Sequence, residues 1–176
     1  MVRMKLEFKG KIEHDSEGIN LYHTHIKIPK KIQAHFQKQE IKRVIFTLNG
    51  GEENHGGFIP RGNGTNFLMT SKALLKKNKL NIGDNVLVTL WEDTSKYGMP
   101  ICDEMQELLD QDNQGSALFH KLTDGKIRSL LYKANGYKSS DKRLEKSVII
   151  IEHLKANNGA LDWQMLNEAF KQGLNF

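Results

Sequence analysis

The chain opens on an alternation. Met4, Leu6, Phe8 and Ile12 are apolar between charged neighbours, with only Gly10 out of character, which is the period of two that marks a half-buried strand. After a turn signal at Asp15-Ser16-Glu17-Gly18, a second strand is predicted from Leu21 to Ile28. Tyr22, Thr24, Ile26 and Ile28 share one face of it and His23, His25 and Lys27 the other, so the histidines are expected to face outward. Pro29 suits a first helical turn, and Ile32 and Phe36 lie four apart in a short basic helix running to Gln37. Val44 to Leu48 is a compact β-prone run. Asn49 to Gly64, with NGGEENHGG and then Gly62-Asn63-Gly64, predicts a glycine-shaped loop held between strands. Phe67 to Met69 resumes the strand pattern, Ser71 can cap a helix from Lys72 to Asn78, and Gly83-Asp84 turns into a strand from Val86 to Trp91.

Beyond Asp93 the period becomes helical. Ile101 to Leu109, Ala117 to Leu122, Ile127 to Ala134 (capped by Thr123 or Asp124) and Asp141 to Asn157 each carry an apolar stripe, and Asp162 can cap a last helix with Trp163, Leu166 and Phe170 that stops at Gly173. Thr94 to Pro100 reads as the join between a strand-rich and a helical part.

The strand-rich part contains a faint echo of itself. Ile26 to Leu48 recurs in outline as Leu68 to Leu90, with Ile32 matching Leu74 and Val44 matching Val86, an offset of 42. Each copy reads strand, short basic helix, strand. A duplicated unit with an uncovered apolar face must bury that face against its copy, so the two halves are expected to close one small barrel. The class is therefore α+β, mainly β. The expected division is a barrel domain over 1–93, an acidic linker and helix over 94–115, and a helical tail over 116–176.

Composition narrows the setting. The 176 residues suffice for a self-sufficient core. The longest apolar run beside a helix, Ser147 to Ile151, is far short of the ~18 to 20 residues of a membrane span. The charged N-terminus MVRMKLEFKG is unlike a secretory signal, and Cys102 is the only cysteine, so a reducing cytoplasm is expected and an internal disulfide framework is excluded. The net charge of +5 is uneven: residues 1–92 carry +6, 93–115 carry −5 and 116–158 carry +5. Either the acidic segment neutralises a basic surface within the molecule, or a basic face meets an anionic partner.

Catalytic patterns are missing. No Gly-x-Ser-x-Gly, phosphate-loop or His-Glu-x-x-His run occurs, and Gly62 to Phe67 lacks the third glycine of a dinucleotide fingerprint. Glu52 and Glu53 are adjacent, so their side chains point apart, and Cys102 lies beside Asp103 and Glu104, which raise a thiol's pKa. His23 and His25 could form half a metal site completed by His14, His55 or a carboxylate, but no spacing fixes further ligands and exposed polar strand residues are the simpler reading. The candidate ligand site is the predicted loop: Asn49, His55, Arg61 and Asn63, with Lys72 at the start of the following helix, could hold a carboxylate, a phosphate or a nucleic-acid backbone. The turn-making roles of Asn49 and Asn63 are the structural alternative. No cofactor or metal is implied, and no enzyme activity is expected. A protein or small anionic ligand is the expected partner, with nucleic acid the alternative through Lys30, Lys31, Lys72, Lys76, Lys77 and Arg61.

The run Phe67 to Leu75 followed by Leu80 to Val88, ending in the Gly83-Asp84 turn, resembles the swapped-hairpin, double-split barrel of AbrB-type and MazE-type proteins, where a second chain normally completes the barrel. With both halves in one polypeptide, residues 4 to 155 resemble a bacterial family of unknown function, DUF1905, joined to a YdeI/OmpD-associated tail. Phe119 to Thr123 and Asp141 to Lys146 look like that bacteriocin-protection tail, with Leu144 where isoleucine is usual and Tyr137 to Ser140 departing further. The resemblance implies a closed barrel, a monomer, and a link to bacteriocin protection or envelope stress.

Overall fold

The computed structural model describes residues 4–14, 24–61 and 64–174. The chain divides into two compact units, 1–94 and 95–176. The turn expected at Asp15 to Gly18, His23, and the positions Gly62 and Asn63 lie outside the described residues.

In the first unit the alternation becomes β1 (Leu6–His14), followed by β2 (Thr24–Lys27), α1 (Lys30–Lys38), β3 (Arg43–Leu48), β4 (Asn54–Arg61), β5 (Thr65–Thr70), α2 (Lys72–Lys77) and β6 (Asn85–Glu92). The strands form a closed, fully antiparallel barrel in the order β1-β2-β5-β4-β3-β6. Closure removes every free sheet edge and lets inward residues of all six strands share one core, in which Ile12, Ile26, Phe46, Leu68, Val88 and Leu90 are buried. Each such side chain contributes roughly 1.5–3 kcal/mol by leaving water.

The repeat is visible as a pseudo-two-fold axis. Residues 42 apart face each other directly at two places on the ring: Ile26 opposite Leu68 on β2–β5, and Thr47 opposite Thr89 on β3–β6. Exchanging β1 with β4, β2 with β5 and β3 with β6 reproduces the same ring of pairings. The two helices end alike, with Glu40 and Lys79 at φ 56 and 55 and with Ile41 N–H donating to Phe36 O and Leu80 N–H to Leu75 O. The helix α2 is shorter, six residues against nine. The turn Asn81 to Asp84 restores the register, and it pairs with β1 through Gly83 N–H to Ile12 O and Ile12 N–H to Asp84 O.

The equivalence extends to β1 and β4 with an offset of 46. Ile12 faces Ile26 as Phe58 faces Leu68, and Phe8 faces Val88 as Asn54 faces Phe46. Gly10 is thereby matched to Gly56, and both are glycine for one reason. A Cβ on Gly10 would lie 2.4 Å from Ile26 Cγ2, and one on Gly56 would lie 2.9 Å from Phe46 Cε1 and 3.1 Å from Leu68 Cδ1. The core side chains at the axis occupy the space that a side chain on β1 or β4 would take.

Two expectations need correction here. Half of the predicted loop over Asn49 to Gly64 is the strand β4; its glycines suggested turns, yet a closed ring needs a sixth strand, and β3 and β5 supply hydrogen-bonding partners along both of its edges. His25 does not face solvent. It stands on the opposite face from Thr24 and Ile26 as the alternation requires, but it is only 3% exposed because the Phe67 ring packs edge-on at 4.5 Å and the Glu13 carboxylate lies 3.7 Å from Nε2.

The second unit contains α3 (Asp103–Gln111), α4 (Asn113–His120), α5 (Asp124–Asn135), α6 (Ser140–Ala156) and α7 (Trp163–Gln172). The expected boundary at 115/116 falls inside α4, and Cys102 is the cap position before α3 rather than a helical residue. The longest helix, α6, packs against the other four and buries Ile150 and Leu154 with Met105, Phe119, Leu130 and Leu166. The cap expected at Asp162 forms, accepting from Met165 N–H at 2.9 Å, and Asp112 also caps, accepting from Gly115 N–H at 2.8 Å. At Thr123 no side-chain cap forms. Among the described residues no helix is long and apolar enough to cross a membrane.

Two carboxylates of the acidic segment, Glu104 and Asp112, are paired with cations within this unit. Arg143 Nε and Nη2 grip both oxygens of Glu104 at 2.8 and 2.7 Å, Ser140 Oγ donates to the same carboxylate at 2.6 Å, and Arg143 Nη1 donates to the carbonyls of Tyr137 and Lys138. Lys155 Nζ reaches Asp112 at 3.1 Å, and the buried Lys146 ammonium donates to Glu145 and to Phe170 O. The basic residues that carry the tail's resemblance are thus tied to its own framework.

Candidate functional site

The five residues expected to form a ligand site are spread over the barrel. Asn49 sits at φ 50 in the turn leaving β3, with Oδ1 accepting from Leu87 N–H at 2.8 Å while its own N–H donates to Leu87 O. It fixes the turn and staples it to β6, which is a structural role. His55 is near the start of β4 and Arg61 is its last residue, six positions on, so roughly 20 Å of extended strand separates them. Lys72 is the exposed first residue of α2, and Asn63 lies outside the described residues.

His55 has a partner that the sequence did not suggest. Its Nδ1 lies 2.7 Å from Oδ2 of Asp93, whose side chain is fully buried just past β6. With Nδ1 donating, Nε2 is left as the free acceptor of a partly exposed ring, the geometry of a base with its orienting carboxylate. Among the described residues no hydroxyl or thiol hydrogen-bonds Nε2. The pair ties β4 to the chain leaving β6. Among the described residues no group of three or more His, Cys, Asp or Glu is placed to hold a metal ion.

Two clefts of the first unit bear on binding. The larger, about 600 Å³, lies beyond the C-terminal end of α1, where Glu40, Glu92 and Asp93 offset Lys42 and Arg43. The smaller, about 350 Å³, is markedly one-signed: Lys9 and Lys11 from β1, Lys27 from the end of β2 and Lys30 from the first turn of α1 surround it, against one carboxylate among the described residues, that of Glu13. All four lysines are exposed, and among the described residues none of the four forms an ion pair. The period of two puts Lys9 and Lys11 on the outer face of β1, and the register Ile12 to Ile26 carries Lys27 beside them. The cleft also receives the carboxamide of Gln33, 4% exposed and held by donation to Ile28 O at 2.8 Å.

This cleft lies at the positive end of α1. Pro29 offers no side-chain cap and the first turn holds no acidic residue, so its backbone N–H groups are uncapped by any side chain. Lys30 and Lys31 oppose the helix dipole, a cost of order 0.3–1 kcal/mol each that a bound anion would reverse.

The barrel's own symmetry supplies a control. Through the offsets of 42 and 46, Lys9 corresponds to His55, Lys11 to Gly57, Lys27 to Met69 and Lys30 to Lys72. The second half builds the same strand and helix geometry with one lysine where the first half has four. The fold does not require the lysines, and the charge is an addition to one half of it.

Residues 8–90 match the family described as Domain of unknown function (DUF1905). The match falls on the barrel, as its sequence pattern implied. No curated protein matches the chain.

Proposed function

We propose that this DUF1905 barrel is a non-catalytic binding module whose ligand is anionic and docks in the lysine cleft between β1, β2 and the first turn of α1. The observation that carries the reading is the convergence of Lys9, Lys11, Lys27 and Lys30 on one concavity, set against their loss at the symmetry-related positions. Lysine heads around a helix N-terminus and a buried carboxamide give donors from several directions and little negative charge to oppose them. A cytoplasmic setting and a monomer fit a chain whose barrel closes on itself and which has one cysteine. The link to bacteriocin protection comes from the tail's resemblance alone; because Arg143 and Lys146 are engaged within the helical unit, recognition is assigned to the barrel.

Thermal unfolding in a panel of anions tests this. A ligand at 100 times its Kd stabilises by about 2.7 kcal/mol, so phosphate, pyrophosphate or citrate should raise Tm in the native chain and lose that effect in Lys9→Gln/Lys27→Gln. Equal shifts in both proteins would remove the cleft from the account. The second reading, nucleic-acid binding, is favoured by the exposed Lys30, Lys31, Lys72 and Lys76 on the two barrel helices. It predicts affinity for oligonucleotides that falls steeply with salt.

A further inference from the structure

Resting on the anionic-ligand reading, we infer that the ligand is a compact, multiply charged phosphate chain, bound one per protein molecule, and not a duplex laid across both halves of the barrel. The asymmetry comes first. A two-fold duplex meets a two-fold protein surface with matched contacts on both halves; here the four-lysine cleft faces a counterpart of His55, Gly57, Met69 and Lys72.

The chemistry of the lining is consistent with that choice. Among the described residues its cations are all lysines. Compact ammonium charges distributed around a cavity act as point charges that suit the tetrahedral oxygens of phosphate. Among the described residues no aromatic ring lines the cleft to stack on a nucleobase, and Ile28 and Pro29 are the sizeable apolar contributions. Four lysines against one glutamate call for several negative charges in a small volume, and about 350 Å³ holds a short run of linked phosphates. Gln33 and the uncapped first turn of α1 add donors at one end.

The phosphate chain could be free or could be the end of a nucleotide, and the two sources share this chemistry. Isothermal titration of the full chain with inorganic tripolyphosphate, ATP, orthophosphate, citrate and a 20-base-pair duplex tests the inference, and ATP against tripolyphosphate reads whether a nucleoside adds to the binding. The expected result is one site, tripolyphosphate and ATP within about threefold of each other, and orthophosphate and duplex at least tenfold weaker. Lys9→Gln/Lys27→Gln should weaken tripolyphosphate at least tenfold, and Lys76→Gln on the opposite half should change it less than twofold. Duplex binding tighter than tripolyphosphate and weakened by Lys9→Gln and Lys76→Gln alike would overturn the inference while keeping the anionic reading. Citrate binding with no phosphate binding would overturn the phosphate class, and no cleft-dependent binding of any anion would overturn both.

Discussion

Placing one methyl group on Gly10 tests the packing at the barrel's axis. An alanine Cβ there would sit 2.4 Å from Ile26 Cγ2, with Phe8 Cε2 a milder 3.1 Å away, where carbon atoms normally meet at about 3.5–4.0 Å. The Ile26 methyl is attached to a stiff β-branched centre that is 0% exposed and directly opposite Leu68, so it has no open space to move into. Overpacking of this kind costs about 1–3 kcal/mol. Reduced freedom of the unfolded chain returns about 0.4–1 kcal/mol, leaving a net destabilisation of about 1–2 kcal/mol for Gly10→Ala. At Gly56 the nearest atoms are 2.9 and 3.1 Å away, and one is the end of a leucine, so Gly56→Ala should cost less than Gly10→Ala. The chain has two tryptophans, Trp91 in the barrel and Trp163 in the helical unit. In a Trp163→Phe background, Trp91 fluorescence therefore reports barrel unfolding alone. With a urea m-value of about 2 kcal/mol/M, Gly10→Ala should lower the midpoint by about 0.5–1 M, and Ile26→Ala should abolish the clash in a double-mutant cycle. An unchanged midpoint, or a larger loss at Gly56, would refute the argument.

Other consequences follow from single contacts. The grip of Arg143 first, then the Ser140 hydroxyl, hold Glu104 down to about 2; a folded pKa below the unfolded value of about 4.5 means stabilisation present above pH ~4.5 and lost as pH falls toward 2. Glu104→Gln should therefore weaken the helical unit at neutral pH, with the difference from the native chain closing near pH 2 in far-UV dichroism melts. Burial lowers the pKa of His153, whose Nε2 accepts from Asp162 N–H at 3.2 Å, so the same melts should show stability lost as pH drops below about 6.5, and that loss should shrink in His153→Gln. At the turn after β3, Asn49→Ala should cost about 1–2 kcal/mol through a strained positive φ and the lost bond to Leu87 N–H, whereas Asn49→Gly should lose only the bond, as urea midpoints would read.

The repeat was legible because its cause is local: alternation, a proline or serine ahead of a basic helix, and a return to β-prone residues are written out twice between Ile26 and Leu90. The strand β4 was not legible, since Asn54-His55-Gly56-Gly57 is strand only by virtue of β3 and β5 on its flanks and of the core side chains that fill the space above Gly56. Asp93 read as the end of a strand, and its role depends on the ring bringing β4 near β6's exit, a contact across 38 positions. His25 followed the alternation faithfully, but what covers the outer face belongs to the neighbouring strand. Of the cleft, Lys30 was visible as a helix-start cation, while Lys9, Lys11 and Lys27 looked like ordinary solvent-facing strand residues until the β1–β2 register placed them around one concavity. The candidate residues proposed in their place, His55 and Lys72, turn out to be the symmetry-related counterparts of Lys9 and Lys30.

The most direct test is a titration of isotopically labelled full-length protein with pyrophosphate, followed residue by residue in amide nuclear magnetic resonance spectra. The account predicts saturable shifts confined to residues 9–11, 27–33 and 65, with residues 55–57 and 69–75 unmoved. Equal shifts in the two halves, or shifts centred elsewhere, would contradict a one-sided anion cleft.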